Sequence, residues 1–296
     1  EPVFGQWAVT DWLFNFKSVK NLLYRLINLP LIKVLVNFII IYLYLYMENK
    51  KEIIAGIIII GNEILSGRTK DLNTSTISKW LNSIGIKVQE ARAIPDDEKI
   101  IVNTVSEFRK KFNYVFTSGG IGPTHDDITS EAVSKSFNLK YEINKEAFKI
   151  LEKYYGANEF NEGRQRMTWM PSKANLILNP ASGAPGFYVE NVFCLPGVPS
   201  ILESMLPGLN NKLIGGKPVI SKTISLRTLE SEIAKPLKAV QEKNKYVDIG
   251  SYPFFRKGKI GVSIVLRSED QNKIDICSTE IMKFVNEMQI EMVERD

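Results

Sequence analysis

From Ile53 to Ile60 the chain reads IIAGIIII, β-branched and apolar without alternation, the pattern of a strand buried on both faces of a parallel sheet. After GNEILSGRTKD comes LNTSTISKWLNSIG, in which Ile77, Trp80, Leu81 and Ile84 recur at spacings of three and four before Gly85. That spacing predicts an amphipathic helix and its stop. The alternation then repeats: IKVQEARAI reads as a strand, DDEKIIVNTVSEFRKK as a helix opened by two acids, NYVFTS as a second buried strand and ITSEAVSKSF as a helix. A βαβαβα order predicts an α/β fold with a doubly wound, mostly parallel sheet.

Residues 144–170 read as further helix, and Ala174 to Leu195 as short strands around the turn Ser182-Gly183-Ala184-Pro185-Gly186. LPGVPSILESMLPGL begins another helix, and Gly215-Gly216-Lys217-Pro218 has the composition of a linker. Beyond it the pattern becomes strand, helix (Glu230 to Lys243), strand (Tyr246 to Tyr252), strand (Lys259 to Arg267) and helix (Gln271 to Met288). The expected organisation is therefore a doubly wound unit over 47–216 and a small α+β unit over 217–296.

Residues 1–46 stand apart, holding ten of the thirty aromatic residues and no Met, the first of which is Met47. One reading is an upstream extension of the reading frame. The other is a membrane segment from Leu26 to Tyr46, with Tyr42, Tyr44 and Tyr46 as an aromatic belt. Fourteen Leu, Ile, Val or Phe residues there contribute roughly −6 kcal/mol to insertion and Lys33 opposes it by up to about 3 kcal/mol, with Asn28, Pro30 and Asn37 also unfavourable. The two sides nearly cancel.

With 44% hydrophobic and 24% charged residues the body is globular in composition. A net charge of +5 with interspersed signs implies no polyanion, so nucleic acid has no support as a partner. Cys194 and Cys277 lack C-x-x-C spacing, which favours a reducing, cytoplasmic setting. The single histidine, His125, excludes multi-histidine zinc sites, and its surroundings are no G-x-S-x-G elbow. Chemistry must run on carboxylates, hydroxyls, backbone amides or a hard metal.

In a doubly wound sheet ligands sit at the carboxyl ends of strands, and those ends here carry GNEILSG, IPDD and SGGIGPTHDD. In the third loop Gly119, Gly120 and Gly122 free the backbone to approach a ligand, and the helix starting near Ile128 aims its first amides at the same place, a phosphate cradle. Neither the Walker pattern nor G-x-G-x-x-G is present. Asp126 and Asp127 have a bland reading as helix cap and dipole partner. The functional reading is a hard cation, Mg²⁺ or Co²⁺, held beside the phosphates by Asp126 and Asp127. Asp96 and Asp97 open a helix but share the same sheet edge, and Glu63 follows the first strand with no helix to cap. His125 reads as a proton donor, a phosphate contact or a solvated loop residue.

GNEILSG, DLNTSTISKWL, IPDD and above all TSGGIGPTHDDIT resemble the molybdopterin-binding domain shared by molybdenum-cofactor biosynthesis proteins and the competence/damage-inducible protein A family, over roughly Ile53 to Leu213. The stretch TLESEIAKPLKAVQEKNKYVDIGSYPFF is similar to the KH-like domain that follows in the competence-damage branch, although no G-x-x-G loop is found. The further amidase domain of full-length members has no counterpart here, so deamidase activity is not carried over. The resemblance implies catalytic roles for Asp127 and Asp96, and the pairing of Asp126 with Asp127 adds Asp126 as a third catalytic candidate. It also implies a ligand site at Gly61, Asn62, Glu63, Gly67 and Asn73, joined by Ser118, Gly119, Gly120, Gly122, Pro123, Thr124, His125 and Thr129. Relatives imply metal-dependent hydrolysis of ADP-ribose or FAD, and a homodimer.

Three functions follow as expectations: a nucleotide-diphosphate pyrophosphatase, a molybdopterin-binding protein without turnover, and a dimeric scaffold with degenerate loops.

Overall fold

The computed structural model describes residues 52–156, 158–256 and 258–293; both readings of residues 1–46 lie outside them. The first unit is built on a six-stranded sheet in the order β2-β1-β3-β8-β7-β6. Its strands are β1 (Ile54–Ile60), β2 (Lys87–Ile94), β3 (Tyr114–Ser118), β6 (Asn175–Ile177), β7 (Gly186–Val189) and β8 (Val192–Leu195). β1 pairs in parallel with β2 and β3, and β3 with β8, whereas β7 is antiparallel to both neighbours. This is the expected doubly wound, mostly parallel sheet.

The unalternating apolar run of β1 is explained by two cores. Ile58 and Ile60 join Ile101, Val105 and Phe108 of α3 (Glu98–Lys111) on one face. Ala55, Ile57 and Ile59 meet Ile77 and Leu81 of α2 (Asn73–Ser83) on the other. Each strand side chain therefore alternates between two buried layers, so no position is left for a polar residue. Edge strand β2 alternates instead between exposed and half-buried positions.

Residues 144–170 depart from the expected helix. α5 (Lys145–Tyr155) and α6 (Glu162–Arg166) are separate, and Trp169–Pro171 forms β5, antiparallel to β4 (Tyr141–Ile143). Three-residue strands are too short to show a period, so only pairing reveals them.

After α7 (Pro199–Met205), a 3-10 turn (Leu206–Leu209) and residues 214–219 comes a second sheet, β10-β11-β9, of β9 (Ile220–Leu226), β10 (Asp248–Arg256) and β11 (Lys259–Ser268). Ile224, Leu226, Val262, Ile264 and Leu266 pack on Ile233 of α8 (Glu230–Lys243) and Ile274 and Ile281 of α9 (Gln271–Glu287). β10 runs past the expected Tyr252 because its ladder with β11 continues to Arg256. A single helix, α8, separates β9 from β10, whereas a KH clamp needs a loop between paired helices. Among the described residues no helix is long and apolar enough to cross a membrane.

Candidate functional site

The carboxyl ends of β1, β2, β3 and β8 point the same way, and the loops leaving them surround a cavity of about 540 Å³. Its lining includes Glu63, Asp96, Gly119, Gly120, Gly122, Pro123, Asp126 and Asp127 together with Met167, Asn179, Ser182, Pro185, Gly197, Val198 and Ile201. A pocket that combines charged, backbone-polar and apolar groups suits a ligand with a charged group and a ring system.

The glycine turn is rigid for identifiable reasons. Gly119 has φ +106° and Gly120 φ +69°, and a Cβ at these positions would collide with the Ile60 carbonyl oxygen and the Thr129 hydroxyl respectively. The Gly119 amide donates to Leu195 O at 3.0 Å, and the Gly120 carbonyl accepts from the Thr129 amide at 2.9 Å. Gly119 therefore fastens the turn to β8 and has no N–H to offer a ligand. The amides of Gly120, Ile121 and Gly122 donate to no described residue, which leaves three backbone donors at the cavity for an anion.

The members of each acid pair are engaged by different partners. Asp97 caps α3, its Oδ1 accepting from the Ile100 amide at 3.0 Å. Asp96 Oδ2 accepts from the Asn62 amide at 2.8 Å and so joins the loops after β1 and β2. Asp127 Oδ2 accepts from the Thr124 amide at 2.7 Å and from the Thr124 hydroxyl. The bland reading of Asp126 and Asp127 as helix caps is corrected: α4 (Thr129–Ser136) begins after Ile128 with no side-chain cap, and Asp127 closes the preceding turn instead. The Asp126 carboxyl, beside the Thr124 hydroxyl, its own amide and His125, is held below the usual carboxylate range.

Glu63 also departs from expectation, because it lies in the first turn of a short helix, α1 (Asn62–Leu65). Its carboxylate folds back over Gly61 and still lines the cavity. Gly61, Asn62, Gly67, Thr124, His125 and Thr129 stand in or beside the loops without lining the cavity, and His125 is exposed. Asn73 and Ser118 are buried beneath it. Among the described residues no three His, Cys, Asp or Glu side chains gather as a metal cage. The acids present fit an ion that takes one or two carboxylates and completes its shell with water and ligand phosphates, the usual habit of Mg²⁺.

The sequence does not place Met167, Asn179, Ser182, Pro185, Val198 or Ile201 at the site. The turn at Ser182 to Gly186 and the LPGVP stretch were visible as glycine- and proline-rich punctuation, but their place depends on β8 lying next to β3. No local pattern encodes that adjacency.

Residues 56–215 match the family described as a probable molybdopterin binding domain, more than half of the chain. The chain belongs to this molybdopterin-binding-domain family. Residues 218–294 of this family member match a second description, FAD synthase, middle domain, in the region where the KH-like resemblance had been drawn. A protein of Archaeoglobus fulgidus is 34% identical over 217 residues, covering 73% of this chain and 92% of the relative. A protein of Saccharolobus islandicus is 38% identical over 171 residues, 55% of this chain and 65% of the relative. The crystal structure of the protein CinA with unknown function from Thermoplasma acidophilum is 32% identical with a TM-score of 0.51, covering 54% of this chain and 96% of that one.

Proposed function

We propose that this molybdopterin-binding-domain protein is a metal-dependent hydrolase of nucleotide diphosphates of the ADP-ribose type. The observation that carries the reading is the lining of one cavity by Gly120, Gly122, Glu63, Asp96, Asp126 and Asp127 together. Carboxylates repel a diphosphate unless a cation stands between them, so this combination makes chemical sense with a hard ion.

Asp126 and Asp127 are the side chains that would hold Mg²⁺ or Co²⁺. When bound, the ion supplies charge neutralisation on the diphosphate and a more acidic water. The Gly120, Ile121 and Gly122 amides take phosphate oxygens, each charge-assisted bond contributing about 1.5–3 kcal/mol. Asp96, steadied through Oδ2 by the Asn62 amide, presents its other oxygen to orient the attacking water. Met167, Pro185, Val198 and Ile201 cover the ring system and keep bulk water out. Water then adds across the P–O–P linkage to give AMP and ribose 5-phosphate. The two free, buried cysteines support a reducing, cytoplasmic setting for this chemistry.

The test is the full chain with ADP-ribose and Mg²⁺ or Co²⁺, wild type beside Asp126→Asn and Asp127→Asn. AMP from wild type with metal, reduced at least ~100-fold in both variants, is the expected result. Full activity in Asp127→Asn, or no AMP from any protein, removes the reading.

A second reading is a molybdopterin-binding protein without turnover, favoured by the match of residues 56–215 to the probable molybdopterin binding domain. A binder holds its pterin phosphate in the presence of a chelator, whereas the hydrolase acts only with metal.

A further inference from the structure

A second cavity of about 410 Å³ is lined by Tyr141, Glu162, Gln165, Arg166 and Trp169. The segment from Arg166 to Trp169 is a partition between the two cavities, since its Met167 lines the first while its ends line the second. None of the chemistry proposed above uses these five residues.

Tyr141, Trp169 and Gln165 are set in place by their surroundings, whereas Glu162 and Arg166 are exposed. Tyr141 and Trp169 lie diagonally across the β4–β5 pair with ring centroids 5.4 Å apart and planes inclined by 47°. α6 is capped by Asn161, whose Oδ1 accepts from the Arg164 amide at 3.0 Å. Gln165 Nε2 donates to Phe160 O at 3.0 Å, and the Gln165 carbonyl accepts from the Thr168 hydroxyl at 2.6 Å. Positions 162, 165 and 166 recur at three and four, so they share one helix face.

Glu162 and Arg166 are the telling pair. An acid four residues before a base is the favoured arrangement for a helical ion pair, yet these two exposed side chains do not pair, and neither side chain has a hydrogen bond or ion pair with a described residue, the Arg166 charge acting only on the nearby Tyr141. The two charges stand apart at one cavity, beside an indole that is 37% exposed. Two aromatic faces, a free carboxylate and a free guanidinium define a complementary ligand. Rings stack on planar heterocycles, a carboxylate accepts from ring or exocyclic N–H groups, and a guanidinium takes a phosphate in a forked contact.

We propose that this second cavity is a binding site for a nucleoside monophosphate, with the base against Trp169 and Tyr141, its N–H donors on Glu162 and its phosphate on Arg166. The site does not rest on the diphosphate chemistry of the first cavity. It places a nucleotide across the Arg166–Trp169 segment from the first cavity.

The experiment is calorimetric titration of the full chain with AMP in the presence of a chelator. Wild type, Arg166→Ala, Arg166→Lys, Trp169→Leu and Gly120→Ala are compared, each checked for a native circular dichroism spectrum. The expected result is bound AMP whose affinity falls about tenfold or more in Arg166→Ala and in Trp169→Leu. Arg166→Lys recovers part of the loss, and Gly120→Ala, which alters the first cavity, leaves this affinity unchanged. Affinity that is indifferent to Arg166 and Trp169 but lost in Gly120→Ala assigns AMP to the first cavity and overturns the proposal. Absence of binding at millimolar AMP overturns it as well.

Discussion

Asn73 Nδ2 donates to Ser118 Oγ at 2.8 Å, and the same amide group reaches the Gly197 carbonyl at 2.7 Å. Ser118 Oγ in turn donates to Pro196 O at 3.2 Å. One buried side chain at the start of α2 thereby ties the end of β3 to the loop after β8, directly beneath the first cavity. Both residues were expected at the ligand; the structure gives them the role of holding the floor on which the ligand loops stand.

Replacing Asn73 by Ala removes two buried bonds and leaves Ser118 and Gly197 short of a partner, a loss of about 2–3 kcal/mol. The thermal midpoint should fall by roughly 5–10 °C for a unit of this size. A midpoint within a degree of wild type would show that the tie is immaterial.

Gly120→Ala and Gly67→Ala form a discriminating pair. Both glycines have positive φ, +69° and +73°, so each alanine costs about 1–2 kcal/mol in backbone strain. Only at Gly120 does the added Cβ run into a neighbour, Thr129, while Gly67 has nothing within 4 Å. Ligand affinity at the first cavity, measured by titration with ADP-ribose, is expected to fall at least ~10-fold for Gly120→Ala and to be unchanged for Gly67→Ala. Equal affinities for the two variants would contradict the assignment of the cradle.

Glu90 on β2 meets Lys111 and Arg92, each at 2.6 Å, and Lys111 first, then Arg92, holds its carboxyl below the usual range. A depressed folded pKa gives stabilisation that is fully present above the unfolded value of about 4.3 and lost as the pH falls through the folded value. Its half-exposed partners keep the contribution to about 0.2–1 kcal/mol. Glu90→Gln should lower the midpoint by roughly 1–3 °C at pH 7. The difference should shrink as the pH falls below the ordinary carboxylate range, and in 1 M salt; a gap independent of pH would refute the ion-pair account.

Cys194 and Cys277 are buried, and burial pushes their thiols up to about 12 and about 11 respectively. Thiolate is the reactive form. Neither cysteine should react with a thiol reagent at pH 8 until the chain unfolds, when both should react together. Rapid labelling of native protein would place one of them at the surface.

The doubly wound sheet was legible in the amino-acid sequence because its signals are local: the unbroken run of β1, the three-and-four spacing of Ile77, Trp80, Leu81 and Ile84, and the glycine-rich ends of strands. The glycine cradle could be recognised for the same reason. What tertiary structure alone decided is the role of each neighbouring acid. Asp96 and Asp97, or Asp126 and Asp127, are equivalent in composition, but backbone angles at a cap or turn send adjacent side chains to different partners. Asp97 Oδ1 accepts from Ile100, Asp127 Oδ2 from Thr124 and Asp96 Oδ2 from Asn62, while Asp96 and Asp127 also line the cavity. Tertiary structure alone also brought Met167, Pro185, Val198 and Ile201 to the cavity: Val198 and Ile201 follow β8, which pairs with β3 nearly eighty positions away, and Met167 precedes β5, which pairs with β4. Local periodicity sets which elements form; long-range pairing and packing set which of their ends meet, and the chemistry lies where they meet.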